Sequence, residues 1–147
     1  MTKKRKIKND PNIGVTNGKL PRSHENPESY FQLSPSWCFS KFDFENSKWS
    51  LKAANIHDDI LPKLVDFERR NWSDIVSDKK HNHWIKCSSF IKEAQNRLIE
   101  LQLYYDELFS LRLTGTMRLF GYIENGVYYI IWCDLHHEIC PAPKKHS

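Results

Sequence analysis

Residues 109–147 read FSLRLTGTMRLFGYIENGVYYIIWCDLHHEICPAPKKHS. Short apolar and aromatic runs alternate here with tight-turn residues. Asn125-Gly126 between two such runs is a strong hairpin signal, because both positions of a two-residue turn must accept a positive φ. Thr114-Gly115 suggests a second two-residue turn. Together they predict strands near 109–113, 116–123, 127–134 and 138–141, with the central three running up-down-up. The run from Val127 to Asp134 is apolar in both alternating sets, with Val127, Tyr129, Ile131 and Cys133 in one and Tyr128, Ile130 and Trp132 in the other. A strand of that kind belongs in a sheet centre covered on both sides.

Upstream, Trp37 to Phe44 has the look of a first strand with imperfect alternation. Asp58 and Asp59 place negative charge where a helix macrodipole favours it, and Pro62 suits a first turn. Leu61, Leu64, Val65, Glu68, Trp72, Ile75 and Val76 recur at three- and four-residue steps, predicting a helix that ends near Ser77. Residues 78–86, DKKHNHWIK, are read as a polar loop. Ile91, Ala94, Leu98 and Leu101 stripe a second helix over 90–103. The predicted class is α+β: a strand, two helices, then a mostly antiparallel four-stranded meander.

The 147 residues, 39% hydrophobic and 13% aromatic, suit one domain with one core. No window approaches the length of a membrane span. The basic start, MTKKRKIKND, is followed by no apolar run, so no secretory leader is expected. Cys38, Cys87, Cys133 and Cys140 are scattered and are expected as reduced thiols, which together predicts a cytoplasmic protein. The net charge of +4 belongs wholly to residues 1–28, which carry seven Lys/Arg and three acids; residues 29–147 carry 15 of each sign. Residues 1–30, rich in Lys, Gly and Pro and poor in large apolar groups, are expected to be a disordered basic arm ahead of a single domain over 31–147. Such an arm serves as a solubilising tail or as an electrostatic contact for nucleic acid or an acidic partner.

The chemistry-bearing residues gather where the strands run out. Histidine suits proton transfer near neutral pH, and the arginine fork matches phosphate. Two-residue turns at 125–126 and 114–115 would place Arg118 opposite Cys133 and Leu111, and Arg112 opposite Met117. The two arginines would then project from opposite faces, with Arg118 functional beside the Asp134–His137 cluster and Arg112 structural. Lys144, Lys145 and His146 form a basic tail that suits phosphate contact, and Trp84, between histidines, suits stacking on a base. Zinc is the rival chemistry, through Cys133, His136, His137 and Cys140 with His81, His83 and Cys87. Against it stand the lack of a CxxC pair and the apolar setting of Cys133. No phosphate-binding loop, dinucleotide fingerprint or nucleophile elbow is present.

The order of elements resembles the RelE/ParE superfamily of small bacterial toxins. Gly115-Thr116-Met117-Arg118-Leu119-Phe120 is similar to that family's Gly-x-apolar-Arg-apolar-apolar strand. A turn at Glu124-Asn125-Gly126, the apolar strand Tyr128 to Trp132, the cluster Asp134 to His137 and Glu138-Ile139-Cys140 follow in the same order. Within the superfamily the chain resembles small proteins ending in W-x-D-P-x-H and a Lys-His close, here Trp132 to His137 and Lys145-His146. The resemblance implies a toxin of a mobile element or toxin–antitoxin pair, acting as a metal-independent endoribonuclease on mRNA at the ribosome and held by a cognate antitoxin. Arg118 would stabilise phosphate charge and His137 would move protons. His136 would assist, Lys144, Lys145 and His146 would hold RNA, and no cofactor would be needed. A non-enzymatic module that binds nucleic acid or protein, including a poison of a gyrase-type target, is the alternative.

Overall fold

The structure, a computed structural model, describes residues 30–141. The basic arm and the tail residues Lys144, Lys145 and His146 lie outside the described residues. Five strands form one sheet: β1 Ser36–Cys38, β2 His83–Lys86, β3 Glu107–Arg112, β4 Arg118–Glu124 and β5 Val127–Asp134. Their order across the sheet is β1-β5-β4-β3-β2. β1 runs parallel to β5, and every other pair is antiparallel. The class is α+β, as expected, and among the described residues the sheet has five strands, but they are not a first strand followed by a four-stranded meander.

Two differences, one strand gained and one lost, separate the arrangement from the expected one. The segment read as a polar loop supplies β2, whose Trp84 and Ile85 pair with Phe109 and Leu108. Charged and histidine neighbours hid it, because an edge strand keeps only part of its surface from water. Conversely, residues 138–141 form no strand. Ile139 is buried, its N–H donated to Asp134 Oδ2 at 2.7 Å, and that bond closes a turn instead of extending a ladder.

The first predicted helix is two. A π-type turn over Ile56–Ile60 leads into α1, Leu61–Glu68, and α2 follows at Trp72–Ser77. Asn71 separates them: its backbone is extended and its side chain accepts the Asp74 N–H at 3.1 Å, which starts a new helix. α3, Lys92–Glu100, buries Ala94 and Leu98.

The helices cover opposite faces. Leu64, Phe67, Trp72 and Ile75 pack with Phe109, Leu111, Leu119, Ile123, Tyr128 and Ile130. Ala94 and Leu98 pack with Leu108, Phe120, Tyr122, Ile131 and Trp132. β5 is therefore enclosed on both sides, as its sequence predicted. Burying each large side chain contributes about 1.5–3 kcal/mol. α2 is also tied to the hairpin, since Trp72 Nε1 donates to the Gly126 carbonyl at 2.7 Å. That turn has the expected geometry, with φ of 54° at Asn125 and 81° at Gly126.

β1 is much shorter than the predicted run to Phe44. It pairs only with Val127 to Tyr129. Beyond it the chain turns, and the loop itself serves the β5 edge: Asp43 N donates to the Ile131 carbonyl at 3.0 Å and Cys133 N donates to the Trp49 carbonyl at 3.1 Å. Asp43 is buried and accepts from Arg97 Nε (2.8 Å) and Nη2 (2.6 Å) and from Trp132 Nε1 (3.0 Å). Loop, α3 and β5 are thus joined at one carboxylate. Among the described residues no helix is long and apolar enough to cross a membrane.

Candidate functional site

Register decides which side chains meet at the end of the sheet. From Glu124↔Val127 to Gly121↔Ile130 the hairpin follows the two-residue-turn register. A bulge then intervenes, and Phe120 pairs with Trp132. Ile131 is the extra residue, so Arg118 faces Asp134 instead of Cys133. Gly121 permits the irregularity, because a Cβ there would collide with the Tyr129 backbone carbonyl. Ile131 and Trp132 accordingly both join the α3-side core, and Cys133 turns to the α1 side.

The other hairpin also differs by one residue from the expected register. Leu113 N donates to the Met117 carbonyl at 2.9 Å, and Arg112 pairs with Arg118. Directly opposed residues share a face. Arg112, Arg118 and Asp134 therefore form one row across β3, β4 and β5. The expectation that the arginines point to opposite faces is corrected: they are neighbours.

The row is held from beneath by the turn between β3 and β4. Arg112 Nε donates to the Thr114 carbonyl at 3.1 Å. Arg118 Nη1 donates to the carbonyls of Thr114 (2.9 Å), Met117 (3.2 Å) and Gly115 (3.3 Å). Neither arginine forms a salt bridge among the described residues. Asp134 is fully buried; its Oδ2 holds the Ile139 N–H, and its Oδ1 has no hydrogen-bond partner.

His137 sits on the turn that Asp134 closes, with a φ of 58°. Desolvation lowers its pKa, the Arg118 charge lowers it further, Asp134 opposes, and Arg112 adds to the lowering. The imidazole is thus biased toward its neutral form. Desolvation and the neighbouring Arg112 charge likewise lower the Arg118 pKa against the pull of Asp134. The four groups lie within electrostatic reach of one another, which makes this a cluster and not four separate surface residues.

The other expected site residues divide. His136 is exposed and, with His137, lines a cleft of about 580 Å³ that also has Lys48 and Glu138 on its walls. Lys48 pairs with Glu93 at 2.8 Å. Trp84 is half-buried, its ring 4.8 Å from that of Phe109, so that much of it serves packing. Among the described residues no group of His, Cys, Asp and Glu is arranged to hold a metal. Burial pushes the Cys133 thiol up to about 12, with Asp134 adding to it, and raises Cys140 as well. Cys140 makes only a long contact to the Ser89 carbonyl, 3.6 Å.

Sequence reasoning missed Arg112 as a member of the site and Asp134 as its buried anchor. The signal for Asp134 was Gly121, since a glycine inside a strand marks a bulge or a close backbone approach; Arg112 enters through the separate one-residue shift in the turn between β3 and β4. Comparison with protein-family models, with curated proteins and with solved structures finds no match to the chain.

Proposed function

We propose that the chain is a RelE/ParE-like toxin that cleaves RNA without a metal, at the corner formed by Arg112, Arg118 and His137. The observation that carries this reading is the convergence of two arginines that form no salt bridge among the described residues with a histidine biased toward neutrality. A neutral imidazole accepts a proton, and the guanidinium forks stabilise a phosphate that gains charge.

In the proposed reaction His137 takes the proton of a ribose 2′-OH, and the oxygen attacks the adjacent phosphorus. The bond to the 5′-oxygen breaks, leaving a 2′,3′-cyclic phosphate. The departing oxygen receives a proton from the imidazolium or from water. Arg118, fixed by its bonds to the 114–117 carbonyls, and Arg112 hold the non-bridging oxygens. His136 lines the cleft through which RNA would enter, and Lys144, Lys145 and His146 are proposed to hold its backbone. A cognate antitoxin would cover the corner in the resting state, and mRNA on the ribosome would be the substrate.

Induced expression of the intact chain should arrest growth and yield RNA fragments ending in cyclic phosphate. His137→Ala and Arg118→Gln should abolish both while far-UV circular dichroism stays unchanged. An intact chain that neither slows growth nor cuts RNA refutes the proposal. The three carbonyl bonds of Arg118 favour a second reading, a static anion-binding module that grips RNA without cutting it. Under that reading the wild type binds RNA uncut, and His137→Ala binds with undiminished affinity.

A further inference from the structure

A second polar cleft, of about 480 Å³, shares no lining residue with the first. Lys63 and Asp66 of α1 and Arg70, just past its end, line it together with Asp78, His81 and Arg112, so Arg112 belongs both to this cleft and to the row with Arg118. Its two carboxylates are already engaged. Asp66 Oδ2 accepts from Arg70 Nη2 at 2.9 Å, and Asp78 Oδ2 bonds His81 Nδ1 at 3.0 Å. That bond to His81 is the largest cause holding the Asp78 carboxyl below the usual range. Lys63 and Arg112 bring positive charge with no salt bridge among the described residues. The cleft is therefore cationic on balance.

Its walls are tied by ring contacts and hydrogen bonds, and its donors are incompletely used. Lys63 Nζ and the Arg70 guanidinium lie 5.7 Å and 5.0 Å from the Phe67 ring centroid. The buried Asn82 accepts the Arg112 N–H at 3.2 Å and donates to the Ile75 carbonyl at 3.2 Å. Arg70 Nε is buried without a hydrogen-bond partner, a donor for which an anion's oxygen would be the missing acceptor. With Nδ1 of His81 occupied by Asp78, the other ring nitrogen remains for a ligand.

The ladder gives the direction of the path. His83, the first residue of β2, pairs with Ser110; His81, in the turn just before it, lines the same cleft as Arg112, and Arg112 pairs with Arg118. At one strand spacing, Arg112 lies roughly 5 Å from Arg118, so the cleft begins one strand away from Arg118. We infer that this cleft binds a backbone phosphate of the same RNA strand, neighbouring the phosphate held at Arg118 and His137. The identity of the ligand rests on the proposed ribonuclease reading; the anion site itself rests on the cleft.

The test uses the full chain and a 2′-O-methyl octanucleotide, which cannot be cleaved. In fluorescence anisotropy Lys63→Ala and Arg70→Gln should each weaken binding roughly tenfold. Each should also reduce the slope of log affinity against log salt by about one. On cleavable RNA the same variants should raise KM and leave kcat unchanged. In the wild type, adding the oligonucleotide should shift the His81 imidazole resonances by NMR. No binding by the wild type, or variants that bind as it does with His81 unmoved, overturns the inference. If the wild type cuts nothing but the variants still lose affinity, the cleft stands and the cleavage reading fails. If His137-dependent cleavage holds while both variants match the wild type, only the second cleft is lost.

Discussion

Replacing His137 by alanine and by glycine separates backbone strain from side-chain chemistry. The residue has a φ of 58°, in the left-handed region where a Cβ costs about 1–2 kcal/mol. Alanine keeps that cost. Glycine removes it and gives back about 0.5–1 kcal/mol through the greater freedom of its unfolded chain. His137→Gly should therefore be more stable than His137→Ala by roughly 0.5–1 kcal/mol, or about 2–5 °C in Tm for a domain of this size. The wild type adds a pH dependence. Its folded imidazole has a lowered pKa, from burial and from Arg118, whereas the unfolded one titrates near 6.5. Stability contributed by the neutral ring is present above about pH 6.5 and is lost as pH falls through the lowered value. Thermal melts at pH 7.5 and 5.5 should show both variants gaining on the wild type at the lower pH, while neither cleaves RNA. Identical melting of the two variants would refute the strain assignment. A wild type that tracks them between the two pH values would refute the placement of His137 against the arginines.

Asp43→Ala should cost about 3 kcal/mol, because it strips a nearly fully buried acceptor from Arg97 and Trp132 while Arg97 keeps Glu100 at 2.9 Å. In urea the midpoint should fall by roughly 1.5 M, and a loss below about 1 kcal/mol would show the network to be dispensable. Burial raises the Asp43 pKa, but the bonds from Arg97 and Trp132 outweigh it and hold it low; its stabilisation is full above about pH 4 and disappears as pH falls through that lowered value. Gly121→Ala should cost about 3 kcal/mol or more, since the added carbon meets the Tyr129 backbone and not a flexible side chain; a variant melting like the wild type would remove the bulge from the account.

What the sequence made legible was local. Asn125-Gly126 announced a turn whose φ values need no tertiary context, and the doubly apolar β5 announced its enclosed place in the sheet. The misses were failures of counting across the chain. One residue more in the turn between β3 and β4, and one spare residue at Ile131, each shift a partner by a single position, and in a period-two structure a single position changes the face. Arg112 was thereby assigned to the wrong side and Arg118 to the wrong neighbour. The edge strand β2 was concealed for another reason: its His83 and Lys86 face water, so its alternation mixes with that of a loop. His81 and Asp78, four and seven residues ahead of Ile85, came together only because the chain turns back there to enter that edge.

The bulge at Ile131 also acts as slack in β5. If β5 lost one residue, the ladder could close over the gap by flattening the bulge, and Asp134 would still arrive opposite Arg118. A gained residue finds no such reserve, because Gly121 already gives up its Cβ to accommodate the first one. Length variation in this strand is therefore directional: contraction by one residue preserves the row of charges, whereas expansion by one would turn Asp134 away from it.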